Sequence, residues 1–577
     1  MSENQNELSG KVQKAEWIGV VGSPSSSNSL MVDMLEGAFE KGLVGNFCVT
    51  EFRQDGKPIY SIGQILSTAL ENPFIERHSI RKITSVRGHA PPLTGQHDVR
   101  TMEVSLGSAY CWDNAKILPA MVGTVPQSGT KVYQLNQEIV NEIVKGQTNI
   151  SYVGNIYNTS ILLPMFFKHF GKGAGGLGEG YHIGIFGKTG SGKSYLARML
   201  LLHYAKFPQM SVLALDPVGE YSREVRNSGK LVELLNKIKR TPEVWKISDI
   251  VFSSPTTFRR ILARSKFIHE LGVRTDENIE NALDVIETFL TTPLSQPRLI
   301  HGVSTVVGTS FPINHRMAFD QLMAHIQQNI SSIYVGREQQ QRVLDSIKNK
   351  GHILYNIWHL VANLFVPAPQ KNKIDDLIQK ICTQKCVVFI DLSELATAGI
   401  FWSPEVMAIV LDELFEKLRG AAEFLYHREE QELLNLLVVV DEAHRFIPSE
   451  RPADEDFRVL KRTLETSARE TRKYGFGWLF ISTSVAGLES EVLKQMRIYF
   501  FGYGLSWGGE FRALRELIGE ERYLSLYQGF RDPTTLLTMG GKQYPFMVHG
   551  PISPLSISGA PMFFNALDYN TEFSSVY

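Results

Sequence analysis

The chain has 577 residues, of which 43 % are hydrophobic and 21 % charged, with a formal net charge of −1. This length accommodates roughly two to four domains with proper cores, and the composition excludes a disordered, fibrous or membrane-embedded chain. A charge near zero excludes a global basic field for nucleic acid, so any such contact must come from a local patch or from basic loops gathered in an assembled ring.

Four cysteines are present: Cys48, Cys111, Cys382 and Cys386. No His/Cys cluster accompanies Cys382 and Cys386, and Cys386 opens an apolar strand, so reduced thiols are expected rather than a metal site. The first residues are polar, without the apolar stretch of a signal peptide. No run of about 18 apolar residues exists to span a membrane. A cytoplasmic chain without membrane contact is the expectation.

Residues 1–14 read as a loose polar leader. From Trp17 the texture is β: 17–22, 45–52, 60–66, 101–108 and 120–124 are short apolar or alternating runs between turn-rich stretches such as Asp55-Gly56. Such spacing predicts a small barrel or sandwich over 15–150. The glycine-rich run 171–178 reads as a flexible connection.

The run 181–186 is apolar and enters Gly187-Lys188-Thr189-Gly190-Ser191-Gly192-Lys193-Ser194, and a helical pattern starts at Tyr195. This is the phosphate-binding pattern G-x-x-x-x-G-K-[ST] in the strand–loop–helix context it requires. The glycines let backbone N–H groups curl around a phosphate, and the helix N-terminus adds its positive end. Binding of ATP is therefore assigned to Gly187, Gly190, Ser191, Gly192, Lys193, Ser194 and Tyr195. Lys193 reaches the β/γ-phosphates and the Ser194 hydroxyl is placed for Mg²⁺.

A buried strand at 211–216 ends in Asp216-Pro217-Val218-Gly219-Glu220-Tyr221. Residues 225–380 then read as helical, with a possible β segment only at 300–308. Apolar strands return at 386–391, 436–440, 478–483 and 497–502, separated by helical runs at 403–427 and 453–474. That alternation predicts an α/β core with a mostly parallel sheet, residues 151–224 and 381–550, interrupted by a helical insertion at 225–380. Residues 551–577 read as a tail.

The strand 436–440 ends in Asp441-Glu442, the Walker B form. Asp441 is expected to support Mg²⁺ and Glu442 to orient and activate the attacking water. Asp441-Glu442-Ala443-His444 also spells the box of two-lobed helicases. That reading fails on length, because too little chain follows for a second lobe. The hydroxyls ending strand 478–483 suggest a γ-phosphate sensor at Thr483. The basic stretch 458–475 offers Arg469 and Arg472 as a cation acting on a neighbouring subunit's nucleotide. The run Arg259-Arg260-Ile261-Leu262-Ala263-Arg264-Ser265-Lys266 and the stretch after Pro448 are candidate DNA-facing loops, or solvated faces.

Taken in order, the β-rich start, the phosphate loop, Asp216–Tyr221, the helical stretch, Val440-Asp441-Glu442-Ala443-His444-Arg445-Phe446-Ile447-Pro448 and Ala468-Arg469-Glu470-Thr471-Arg472-Lys473-Tyr474-Gly475 resemble the HerA family of hexameric ATPases, relatives of the FtsK translocases. The family often ends its sensor strand in Ser-Gln-Arg-Pro, whereas this chain has Ser482-Thr483-Ser484-Val485. The resemblance implies a RecA-like P-loop core with an N-terminal β-barrel, a homohexamer with ATP and Mg²⁺ at subunit interfaces, and double-stranded DNA in the channel. It also implies a partner docked on the barrel: a NurA-type nuclease in repair, or a nuclease or sirtuin-type NAD-consuming effector in antiviral defence. Alternatives are an ATP-dependent scaffold for an effector with little translocation, a DNA end-resection motor, and a small-molecule kinase.

Overall fold

The computed structural model describes residues 7–72, 81–82, 85–86, 97–113, 116–291, 299–300, 305–306, 312–429, 431–535, 543–556 and 560–567. Two sheets organise it. The first is N-terminal and antiparallel, ordered Ser29–Met34, Trp17–Val21, Lys131–Gln134, Phe47–Gln54, Lys57–Glu71, Val99–Asp113. Ser29–Met34 pairs back onto Val99–Asp113, which closes the six strands into a barrel. A seventh strand, Lys116–Ala120, hangs on Val99–Asp113 outside the closure. The hairpin between Phe47–Gln54 and Lys57–Glu71 turns at Asp55 (φ 49°) and Gly56 (φ 76°), the Asp-Gly pair that a two-residue turn with positive φ requires.

The second sheet has eleven strands. Seven run parallel: Pro242–Lys246, Val387–Asp391, Ser211–Asp216, Leu436–Val440, Phe476–Ser482, His182–Phe186 and Met496–Gly502. Four antiparallel strands extend it: Tyr544–His549, Met562–Ala566, Ile150–Ile156 and Leu162–Phe166. Alternation along each strand sends side chains to opposite faces. Leu436, Val438 and Val440 join a core with Phe258, Ile261 and Leu262 of the insertion. Leu437 and Val439 face Leu196, Leu200 and, further out, Phe47 and Tyr60 of the barrel. The insertion thus covers one face of the sheet, and the phosphate-loop helix with the barrel covers the other.

The α/β core with its N-terminal barrel is the fold the sequence implied. Four local expectations are corrected. Residues 7–14 are a helix, Glu7–Lys14, whose Leu8 and Val12 are buried in one core with Ile139 and Val140; residues 1–6 lie outside the described residues. The stretch 225–380 is not wholly helical, because Pro242–Lys246 forms the edge of the parallel sheet. The run 551–577 is not simply a tail, since Met562–Ala566 is an interior strand of the sheet; residues 568–577 lie outside the described residues. The glycine-rich run 171–178 closes on itself, with Leu177 N–H donating to His169 O (2.9 Å) and Gly178 N–H to Gly171 O (3.0 Å). Of the possible β segment at 300–308, only Leu299–Ile300 and Thr305–Val306 are described, and they pair.

Candidate nucleotide site

The phosphate loop leaves the end of His182–Phe186, between Phe476–Ser482 and Met496–Gly502. Gly190 (φ 85°) and Gly192 (φ 91°) occupy the left-handed region, where a side chain costs energy. Space forbids one too: a Cβ on Gly192 would stand 2.6 Å from the Tyr544 ring, and on Gly190 2.7 Å from the Thr534 methyl. The helix Lys193–Ala205 starts directly behind the loop.

The loop opens on a cavity of about 490 Å³. Gly190, Gly192, Lys193, Ser194 and Tyr195 line it, together with Asp441 and Glu442 from the far side. Sequence reasoning thus brought together two groups that lie far apart in the chain, at 187–195 and 441–442. Gly187 and Ser191 lie beneath, with Ser191 Oγ buried and without a hydrogen-bond partner among the described residues. Lys193 Nζ donates to Lys188 O (3.1 Å), so its charge rests on the loop that a phosphate would occupy. Burial pushes the Lys193 pKa down, and the charges of Glu442 and Asp441 oppose that shift.

Burial raises the Asp441 pKa to about 6, and the nearby charges of Glu442, Glu220 and Asp216 add to the rise. Carboxylates gathered at one buried place favour a cation there. Asp441 and Ser194 suit Mg²⁺. Among the described residues no set of three His, Cys, Asp or Glu could enclose a metal, so phosphate oxygens and water would complete its shell. Glu442 sits at φ 49°, ψ 45°, a left-handed conformation unusual for a side-chain-bearing residue and one that accumulates at functional sites.

Further residues line the site, among them Arg198, Glu220, Thr534 and Tyr544. Arg198 is almost fully buried, donates to Glu220 (2.6 Å) and Glu224 (3.0 Å), and lies over the Tyr221 ring. It shares a helix face with Ser194, four residues earlier, and donates to the Ser194 carbonyl (3.2 Å). Glu220 lines the cavity because Asp216 accepts the N–H groups of Gly219, Glu220 and Ser222, which folds the Asp216–Tyr221 turn inward. Thr534 and Tyr544 arrive from the C-terminal region, and the Tyr544 ring stacks on Tyr195 at 5.1 Å. The Arg198 and Glu220 positions had a signal in the helix period and in the motif. Tyr544 had none, because only the sheet extension brings it near.

Three sequence-assigned residues lie elsewhere. Thr483 is half-buried, one residue past the end of Phe476–Ser482, and does not line the cavity. The strand-end contact is made by Ser482, whose hydroxyl lies 3.3 Å from His444 Nδ1. Arg469 and Arg472 precede Phe476–Ser482, so they stand at the opposite end of the sheet from the phosphate loop. A strand of this length spans roughly 23 Å. Both are mostly exposed; Arg469 pairs with Glu470 (3.2 Å) and Arg472 with Glu179 (3.3 Å).

The family description "Helicase HerA, central domain" matches residues 180–400. Residues 180–400 of the chain thus carry a domain of the HerA central type. The match spans the phosphate loop, the Asp216–Tyr221 turn and the insertion, and it ends before Asp441. No curated protein matches the chain. Among solved structures, VirB4 of Thermoanaerobacter pseudethanolicus is similar at 14 % identity, covering 73 % of this chain and 97 % of that one, TM-score 0.38. The genome packaging NTPase B204 from Sulfolobus turreted icosahedral virus 2, in complex with AMPPCP, is similar at 12 % identity over 68 % and 99 %, TM-score 0.28. The bacterial conjugative coupling protein TrwBdeltaN70 is similar at 12 % identity over 67 % and 83 %, TM-score 0.31. Among the described residues, no helix is long and apolar enough to cross a membrane.

Proposed function

We propose that the chain is an ATP-hydrolysing motor of the HerA type that works as a homohexameric, cytoplasmic ring on double-stranded DNA. Lys193 and the loop N–H groups hold the phosphates, Asp441 and Ser194 hold Mg²⁺, and Glu442 takes the proton of the attacking water. One observation carries the ring. Among the described residues, the cations lining the cavity are Lys193 and Arg198, and Arg198 is neutralised by Glu220 and Glu224. The charge that develops on the γ-phosphate needs a further cation, while Arg469 and Arg472 stand exposed at the far end of the sheet. A neighbour's Arg469 or Arg472 supplies it. The barrel carries the partner, a nuclease or NAD-consuming effector of antiviral defence. In support, the seventh strand, outside the closure, exposes Leu118 (42 %) and Met121 follows it at 85 %.

The test mixes Arg472→Ala subunits with Glu442→Gln subunits, each inactive alone. Some interfaces of a mixed ring pair an intact arginine with an intact Glu442, so partial ATPase activity returns. No recovery, together with a monomer in ATP at micromolar concentration, contradicts the ring.

The scaffold reading has one observation in its favour. The basic run 259–266 falls largely on the helix Pro255–Arg264 and not on a loop, and its arginines are engaged. Arg259 pairs with Glu280, Asp284 and Glu287, Arg260 with Asp412 and Asp456, and Arg264 with Asp454 and Asp456. That removes one candidate DNA contact. ATPase rates with and without duplex DNA separate the two readings: stimulation by DNA supports the motor, indifference the scaffold.

A further inference from the structure

The Walker B turn makes a contact the proposed chemistry does not use. His444 lies in the tight turn Ala443–Arg445, which Glu442 immediately precedes, and both side chains are about one third exposed. His444 Nδ1 lies 3.5 Å from Glu442 Oε2 and 3.3 Å from Ser482 Oγ. The Ser482 hydroxyl donates to Ser484 O (2.8 Å), and Ser484 N–H donates back to Ser482 Oγ (3.1 Å). With its own proton committed, the Ser482 oxygen is left to accept. A single His444 N–H therefore stands between the strand-end hydroxyl and the carboxylate of the base.

The path continues. Ser484 Oγ donates to Glu510, and the same carboxylate accepts from Val485 N–H (2.7 Å) and Ala486 N–H (3.3 Å). Glu510 is in the first turn of the helix Gly508–Ile518, whose preceding residue, Trp507, is 77 % exposed. Trp507 stands three residues before Glu510 in the chain, so its fluorescence is a probe placed beside the end of this network.

We propose that His444 is a positioning residue for hydrolysis, fixing the Glu442 carboxylate and tying it through Ser482, Ser484 and Glu510 to the Trp507 turn. The inference rests on Glu442 being the base, as proposed above. His444 touches no phosphate and does no proton transfer. It holds a side chain whose backbone is already strained, so its loss lets the carboxylate swing. Misplacement of a catalytic group by about 1 Å costs on the order of a hundredfold in rate.

The experiment measures steady-state ATPase of the full chain, wild type, His444→Ala and His444→Gln, with duplex DNA present and absent. His444→Ala is expected to lower kcat about ten- to a hundredfold with KM for ATP within about twofold, and the amide N–H of His444→Gln restores most of the loss. In parallel, Trp507 fluorescence is taken as the difference between each protein and its Trp507→Phe counterpart on adding AMPPCP. Wild type responds, and Glu510→Gln does not. A His444→Ala protein with wild-type kcat overturns the proposal. So does one that loses kcat, nucleotide binding and thermal stability together without rescue by glutamine, which is a packing role. A Trp507 signal unchanged in Glu510→Gln cuts the path at Ser484 and overturns that half. An inactive wild type brings down the reading of Glu442 itself, and is told apart from these because no variant is then compared.

Discussion

The barrel and the helical insertion flank the same sheet but are held to it differently. The barrel has an interior of its own, in which Ile18, Val21, Leu30, Val32, Ile65 and Val104 pack together, besides a face shared with the motor. Its seam carries one ion pair among the described residues, Arg522 with Glu103 at 3.7 Å, and is otherwise neutral. Gln64 donates to Phe563 O (3.1 Å) and accepts from Phe563 N–H (3.0 Å), Tyr110 OH donates to Pro554 O (2.6 Å), and Ser105 Oγ meets Tyr523 OH (2.5 Å). Among the described residues the insertion has no separate interior: Phe258, Phe267, Phe319 and Trp358 share one core with Val438, Phe480 and Phe501 of the sheet. Its seam is ionic, with Asp412, Asp454 and Asp456 of the motor meeting Arg260 and Arg264. The barrel is thus a domain leaning on the motor, and the insertion is a part of the motor.

The comparison breaks most visibly on isolated fragments. Residues 7–146 should unfold cooperatively on heating, because the closed barrel keeps its own core. Residues 251–374 should not, because their apolar faces are completed by the sheet. Circular dichroism melts decide it, and a cooperative transition in the second fragment would mean the insertion is a domain after all. The same logic says that deleting 1–150 uncovers the face shared by Tyr60, Ile183 and Leu200, so the truncated chain should lose solubility before its partner binding can be read.

Next comes the ionic seam. Asp456→Ala leaves Arg260 and Arg264 short of a partner and should cost about 2 kcal/mol after allowing for their partial exposure. The cost should shrink in 1 M salt, where screening extends to about 3 Å. Gln64→Leu removes the neutral hydrogen bonds to Phe563 across the seam and to Gly45 within the barrel, and should cost about 1–2 kcal/mol with no salt dependence. Denaturant titrations at two salt concentrations compare them, and equal salt sensitivity would erase the distinction.

The motor's own site adds a pH dependence. The folded pKa of Asp441, about 6, lies above its ordinary value of 3.8. The stability that the raised pKa contributes is fully present below about pH 3.8 and is lost as pH rises through about 6. Asp441→Asn does not titrate, so its melting temperature relative to wild type should climb between about pH 4 and pH 6 and then level off. A constant difference across that window would contradict the burial of Asp441 among neighbouring carboxylates.

Much of this was legible from residue order. The phosphate loop, the Asp441-Glu442 pair and the strand–helix alternation are local patterns with fixed chemistry, and they located the cavity from both sides. What escaped was set by long-range pairing. Pro242–Lys246 and Met562–Ala566 are short runs whose strand state comes from neighbours in the sheet, not from their own pattern. Leu8 and Val12 lie on one face of a mostly polar helix and needed a partner helix to reveal their burial. The arginines at 259, 260 and 264 looked like a free basic face because their carboxylate partners come from distant helices. The Asp-Gly turn and the two loop glycines were readable because their backbone conformation is itself a property of those residues.

The central claim is that the cavity between the phosphate loop and the Walker B turn binds and hydrolyses ATP. The most direct measurement pairs ATP binding by calorimetry with steady-state phosphate release in wild type, Lys193→Ala and Glu442→Gln. The account predicts that Lys193→Ala loses binding by at least about tenfold, and that Glu442→Gln still binds ATP while turnover falls by about two to four orders of magnitude. A Glu442→Gln protein that releases phosphate at the wild-type rate would contradict it.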